Sequence, residues 1–213
     1  MLFRSVKFLN PYAEIEKTLH RLPHWQQAGV TYFITYRLAD SVPRKLRDQW
    51  ESERKIWLRW NPPPHTPEQE KEYHERFSQQ MERWLDAGHG ECVLRQPTCA
   101  GIAGDALRHF DGERCSQIGW VVMPNHVHVL MMPHPEWPLE KLLHSWKGFT
   151  TKQINLHLKR SGELWQRSYF DRVIRNADHF ANCVRYIRRN PVKARLHEGE
   201  YLLYESEVAK AVT

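Results

Sequence analysis

Two apolar runs, Ile118-Gly-Trp-Val-Val-Met123 and His126-Val-His-Val-Leu-Met-Met132, face each other across Pro124-Asn125. Runs rich in β-branched and aromatic residues, broken by a turn pair, read as a β-hairpin. The second run carries His126 and His128. Alternate residues of a strand point the same way, so the two imidazoles share one face, with Cα atoms roughly 6–7 Å apart. That spacing lets both converge on one ion or one phosphate. With 13 histidines in 213 residues, about one His-x-His pair is expected by chance. A half-buried strand with two exposed or hydrogen-bonded histidines is therefore the plain alternative.

The elements around the hairpin set the fold class. Val30–Leu38 reads as a first strand. Pro43 opens a helix-like run through Trp60, which the prolines after Asn61 break. A second polar helix runs from about Glu68 to Asp86, with Tyr73, Phe77, Met81, Trp84 and Leu85 at helical spacing. Gly88 to Gly90 ends it. Residues 43–90 thus form a charged helical arm inserted in a single domain spanning 1–213. Cys92-Val-Leu reads as a short strand and Ile102–Phe110 as a helix. Leu139–Leu158 reads as a long helix and Tyr169–Arg175 as a last strand. A final helix runs from Asp178, its expected N-cap, to Asn190, where Pro191 stops it. Strands and helices interspersed around one hairpin predict an α+β fold, an antiparallel sheet with helices packed on one face.

The last helix adds chemistry. Phe180, Cys183, Val184 and Ile187 form its apolar stripe. Tyr186 lies roughly 110° around from that stripe. Asn190 follows four residues later on the same side, about 6 Å along the axis. One helix thus presents a phenol and an amide, while a strand presents two imidazoles. A nucleophile with two or three metal ligands is a working set for phosphoryl transfer.

Charge points to an anionic partner. Lys and Arg outnumber Asp and Glu by 31 to 25. The excess is concentrated between Lys141 and Arg195, where thirteen basic residues face only Glu163, Asp171 and Asp178. Such clustering suits nucleic acid. The four cysteines form no Cys-x-x-Cys pair, so neither a zinc ribbon nor a disulfide framework is indicated. No signal peptide or membrane span is read, and a cytoplasmic location is expected.

Met123-Pro-Asn-His-Val-His-Val-Leu-Met-Met-Pro133, then Leu164-Trp-Gln-Arg-Ser-Tyr-Phe-Asp-Arg-Val-Ile-Arg175, then Tyr186-Ile-Arg-Arg-Asn-Pro-Val-Lys-Ala194 resemble the Y1 transposases, single-tyrosine HUH nucleases of the IS200/IS605 type. The Trp-Gln and Asn-Pro-Val-Lys signatures look most like the REP-associated tyrosine transposases. The likeness covers about Val30–Leu38 and Gln117–Leu196, and the 43–90 arm has no counterpart in it.

The resemblance implies a ferredoxin-like, RRM-like HUH nuclease core. It implies an enzyme that cleaves single-stranded DNA beside a hairpin, such as a REP-like or insertion-sequence end. Tyr186 would be the nucleophile, leaving a 5′-phosphotyrosine link and a free 3′-hydroxyl. His126 and His128 would hold a divalent metal, Mg²⁺ or Mn²⁺, with Asn190 as a third ligand. Lys147, Lys152, Arg167, Arg172, Arg175 and Lys193 are candidate phosphate contacts. Trp165 and Tyr169 are candidates to stack on unpaired bases. Family members include monomers and homodimers, and both remain open. Three rivals stand beside this reading: a domesticated DNA-hairpin-binding protein with little cleavage, an RNA-binding module on a similar sheet, and a metal hydrolase that activates water.

Overall fold

The computed structural model describes residues 6–13, 16–19, 23–62 and 65–213. Strand β1 (Glu16–Leu19) pairs antiparallel with β2 (Pro23–Gln26) as a separate hairpin. The main sheet holds β3 (Tyr32–Arg37), β4 (Cys115–Val122), β5 (His126–Pro133), β6 (Phe170–Val173) and β7 (Leu202–Glu205). Its order is β6-β3-β5-β4-β7, and every neighbouring pair is antiparallel. The helices are α1 (Arg44–Trp60), α2 (Pro67–Tyr73), α3 (Gln79–Asp86), α4 (Pro97–His109), α5 (Leu139–His157), α6 (Ala177–Lys193) and α7 (Glu207–Lys210). A π-helical turn, His74–Ser78, joins α2 to α3. No described helix is long and apolar enough to cross a membrane.

The α+β class and the β4–β5 hairpin match the sequence expectation. The helices, however, divide between both faces of the sheet rather than lying on one. The cause is written in the alternation of the strands. Tyr32, Ile34 and Tyr36 of β3, Trp120 and Val122 of β4, and Val127, Val129 and Met131 of β5 point to one side. There they pack under α4 and α5, against Ala103, Leu107, Leu142 and Trp146. Phe33, Val121 and Leu130 point to the other side and meet Phe180, Val184 and Ile187 of α6. Both faces of β5 are buried, so both need cover. Close approach on the first face requires Gly104: a Cβ there would lie 2.7 Å from a Leu202 methyl and 3.1 Å from the Trp120 ring.

Several boundaries moved. The first strand is Tyr32–Arg37, shorter than Val30–Leu38. Cys92-Val-Leu is not a strand but the start of a 3-10 turn, Val93–Arg95, because Cys92 takes the left-handed conformation with φ 50. Helix α4 starts at Pro97, a residue suited to a first helical turn, rather than at Ile102. The N-cap of α6 is Asn176, whose side chain accepts from the His179 N–H at 2.8 Å, and not Asp178. Pro191 sits inside α6 instead of ending it. The missing N–H forfeits one bond near the helix end, while Asn190 and Pro191 are held by burial.

The arm is built from α1, α2 and α3. Trp57 donates to Glu72 at 2.8 Å and packs on the rings of Tyr73 and Phe77. Thr66 and Gln69 form a reciprocal cap at the start of α2. The two ends of the arm are stapled together, with the Glu91 N–H donating to Asp40 Oδ2 at 2.8 Å. Gly90 permits this, having φ +85 and a Cβ position only 2.6 Å from Asp40 Cγ.

Candidate active site

Strand β5 lies at the centre of the sheet, and its even-numbered residues face α6. That parity puts His126 and His128 on the α6 side, both essentially buried at 1% and 3% exposure. Their Nε2 atoms face each other 3.0 Å apart. Each Nδ1 is anchored from behind, that of His126 to Asn125 Oδ1 at 2.7 Å and that of His128 to Thr35 Oγ1 at 2.7 Å. Asn125 uses its amide N–H groups on the carbonyls of Leu85 and His89. Its Oδ1 is therefore an acceptor, and His126 Nδ1 carries the proton. The Nε2 of His126 is then a lone pair aimed at His128. Burial pushes the His126 pKa down to about 3 and holds that of His128 well below the ordinary range. Both rings are neutral, which is the ligating state of imidazole.

Asn190 completes the inner group. Its Nδ2 lies 3.4 Å from His128 Nε2, and its Oδ1 is buried without a hydrogen-bond partner among the described residues. Two opposed ring nitrogens and an orphaned amide oxygen fit a cation: two imidazoles and one oxygen, with the imidazoles braced behind. The nitrogen content suits Mn²⁺ or a later metal better than Mg²⁺. Among the described residues no group of three or more His, Cys, Asp or Glu side chains is placed to hold a metal ion.

Tyr186 reaches the same group from α6. Its ring centroid is 5.1 Å from that of His128 and 5.6 Å from that of Phe33, edge-on to both. Phe33 also stacks on His128 at 5.4 Å. Burial, and then the carboxylates of Glu82 and Asp86, hold the phenol well above its usual pKa. Both carboxylates belong to α3. They also hold Lys193, at 3.3 Å and 3.0 Å.

Beyond Tyr186 a cleft of about 960 Å³ opens between arm and sheet, lined in part by Phe33, Thr35, His128 and Tyr186. Tyr169 and Arg172 line it too. The other candidate DNA contacts fare differently. Trp165 is buried at 4% exposure, donates to Thr150 Oγ1 at 2.8 Å and packs on Tyr36, so it belongs to the core and cannot stack on a base. Lys147 is spent on structure. Its ammonium donates to the carbonyls of Gln166, Arg167 and Ser168, and burial brings its pKa down to about 8. Lys152 and Arg167 are exposed outside the cleft lining. Arg175 holds Glu70 through two bonds of 2.7 Å and 3.1 Å.

Sequence reading missed Thr35, Asn125 and Phe33 as parts of the site. All three are pairing or neighbouring positions of the histidines: Thr35 is opposite His128 in the register. Gln166 also gains a purpose, accepting from Arg37 Nε at 2.6 Å. The Trp-Gln pair is thus a clasp between β3 and the loop before β6.

No curated protein matches the chain. Eight solved chains do. One is described as the structure of the REP associates tyrosine transposase bound to a REP hairpin, at 18% identity, covering 81% of this chain and 74% of that one, with a TM-score of 0.41. Residues 107–190 match the family model for transposases of the IS200-like type. That span runs from the end of α4 to Asn190 and includes both histidines and the tyrosine.

Proposed function

We propose that this chain is a metal-dependent endonuclease and strand transferase, a transposase acting on single-stranded DNA near hairpins through a 5′-phosphotyrosine intermediate. The observation that carries it is the meeting, within one chain, of a half-buried phenol with the neutral imidazole of His128 at the floor of an open cleft, and of His126 opposed to that imidazole behind it. In this reading Tyr186 Oη forms a bond to the scissile phosphorus while the P–O3′ bond breaks. The phenol gives up its proton and the departing 3′ oxygen takes one up. Attack by another 3′-hydroxyl reverses the step and joins strands. Phe33 and His128 fix the ring of the nucleophile edge-on. His126, His128 and Asn190 would hold Mn²⁺ or Mg²⁺, and Thr35 and Asn125 would orient the imidazoles. A divalent ion there would polarise a phosphate oxygen and offset the carboxylate charge beside the phenol.

The test is incubation with hairpin-bearing single strands and Mn²⁺, followed by a denaturing gel. The wild-type chain gives a DNA-linked band, and Tyr186→Phe gives none. A band that survives in Tyr186→Phe overturns the nucleophile assignment. The raised pKa of the phenol favours one second reading, a hairpin-binding protein with little cleavage. Hairpin binding without any band under these conditions would select it.

A further inference from the structure

The arm matches nothing in the IS200-like segment, yet it supplies a whole wall of the cleft above Tyr186. Along that wall the Arg54 guanidinium sits 5.6 Å from the Trp50 ring centroid and 5.5 Å from that of Tyr73. On the sheet side, the Arg172 guanidinium sits 5.6 Å from the Phe170 centroid, and the Tyr169 ring lines the same cleft. All four rings are half-buried and line the cleft, as does Arg54. Lys55 and Arg172 line it too, are exposed, and lack an ion-pair partner among the described residues. Two of the lining carboxylates are engaged elsewhere: Asp48 lies 3.6 Å from both Arg44 and Arg47, and Glu82 lies 3.3 Å from Lys193. Rings and cations together on two walls make a stacking platform with phosphate contacts. Bases inside a duplex are stacked on each other and cannot use such rings, so the pattern selects an unpaired strand.

We propose that the cleft between the arm and β6 binds the unpaired DNA strand that leads away from the hairpin toward Tyr186, with Trp50, Arg54 and Lys55 as the arm's contribution. This rests on the transposase reading for the direction of the strand but not for its binding. The arm is held in place for the task by Glu70 on Arg175 and by Glu82 and Asp86 on Lys193.

The probe is a DNA hairpin with or without an unpaired thymidine tail, followed by fluorescence anisotropy in the Tyr186→Phe background. The tail raises affinity by about tenfold, the yield of one stacked base. A Lys55→Glu/Arg172→Glu double variant forfeits most of that gain. Its log Kd also changes less steeply with log salt, by about 0.7 for each phosphate that is no longer neutralised. Lys152→Glu, on the outside of α5, keeps the tail gain. Circular dichroism confirms that the double variant is folded, as expected for two exposed side chains. The proposal is overturned if the tail adds nothing, if the double variant retains the gain, or if an RNA tail is held more tightly than the DNA one. Because binding is read without covalent chemistry, a missing adduct in the wild type would strike only the transposase reading.

Discussion

The two walls of the cleft are built on different physics. The sheet wall rests on a dry, two-sided core, with Ile34, Val127, Val129 and Leu130 at 0% exposure. The arm wall has a smaller core, Val42, Met81 and Leu85 together with the buried rings of Phe77 and Trp57, and Leu46, Trp50 and Trp84 are only partly buried around it. What fastens it to the sheet is polar: the pairs at Arg175 and Lys193, the Asp40 staple and the carbonyls that hold Asn125. Apolar packing is short-ranged and holds positions tightly, whereas exposed ion pairs are weak and screened by salt. The comparison teaches that the phenol and the His128 imidazole are fixed from the rigid side, whereas His126 is braced through Asn125 by the polar one.

The largest effect expected is on folding. Ile34→Ala in β3 should cost about 2–5 kcal/mol, against about 1 kcal/mol for Leu46→Ala in the arm, read from urea midpoints. Equal costs would erase the distinction between the walls. Next comes the bracing of the histidines. Asn125→Ala should weaken Mn²⁺ binding by about 10–100-fold, measured by isothermal titration, since the group behind a ligating imidazole sets its tautomer. Smaller still, Glu70→Gln removes a pair whose side chains are 58% and 44% exposed, so its stability cost should stay below about 1 kcal/mol and vanish in high salt. The smallest effect concerns acid. Burial, then Arg172 and Arg175, lower the His179 pKa to about 4. The folded value lies below the unfolded one, so the unfolded chain binds more protons between them. Stability is therefore lost as pH falls from about 6.5 toward 4. His179→Gln should show a smaller drop in Tm between pH 7 and pH 5 than the wild type.

Much of the sheet side was legible because periodicity carries it. The stripe of Phe180, Val184 and Ile187 lies buried as its spacing implied, and the parity of His126 and His128 set their shared face. Four features escaped for physical reasons. Strand β7 is a four-residue edge with every residue half-buried, so no alternation marks it. The divided helices follow from β5 being buried on both sides, and a single run cannot say which helix takes which face. The Cys92 turn hinges on one left-handed backbone, which cysteine does not advertise. Trp165 and Lys147 have the composition of a nucleic-acid surface, and only tertiary contacts reveal that Thr150 and three loop carbonyls use them. Tyr186 and Asn190 were placed by helical spacing alone, but their nearness to the histidines depended on β5 sitting centrally.

Asn125 gives the arm a second significance. One amide grips the backbone at the foot of α3 with its nitrogen and the ring of His126 with its oxygen. Anyone trimming this protein to a minimal version meets that joint first. Helices α1 and α2 open the insertion and offer themselves for excision, but the stretch from Leu85 to His89 at its end doubles as a bracket for the imidazole. A shortened chain that discards it would leave the histidine free to turn, however well the sheet beneath survived.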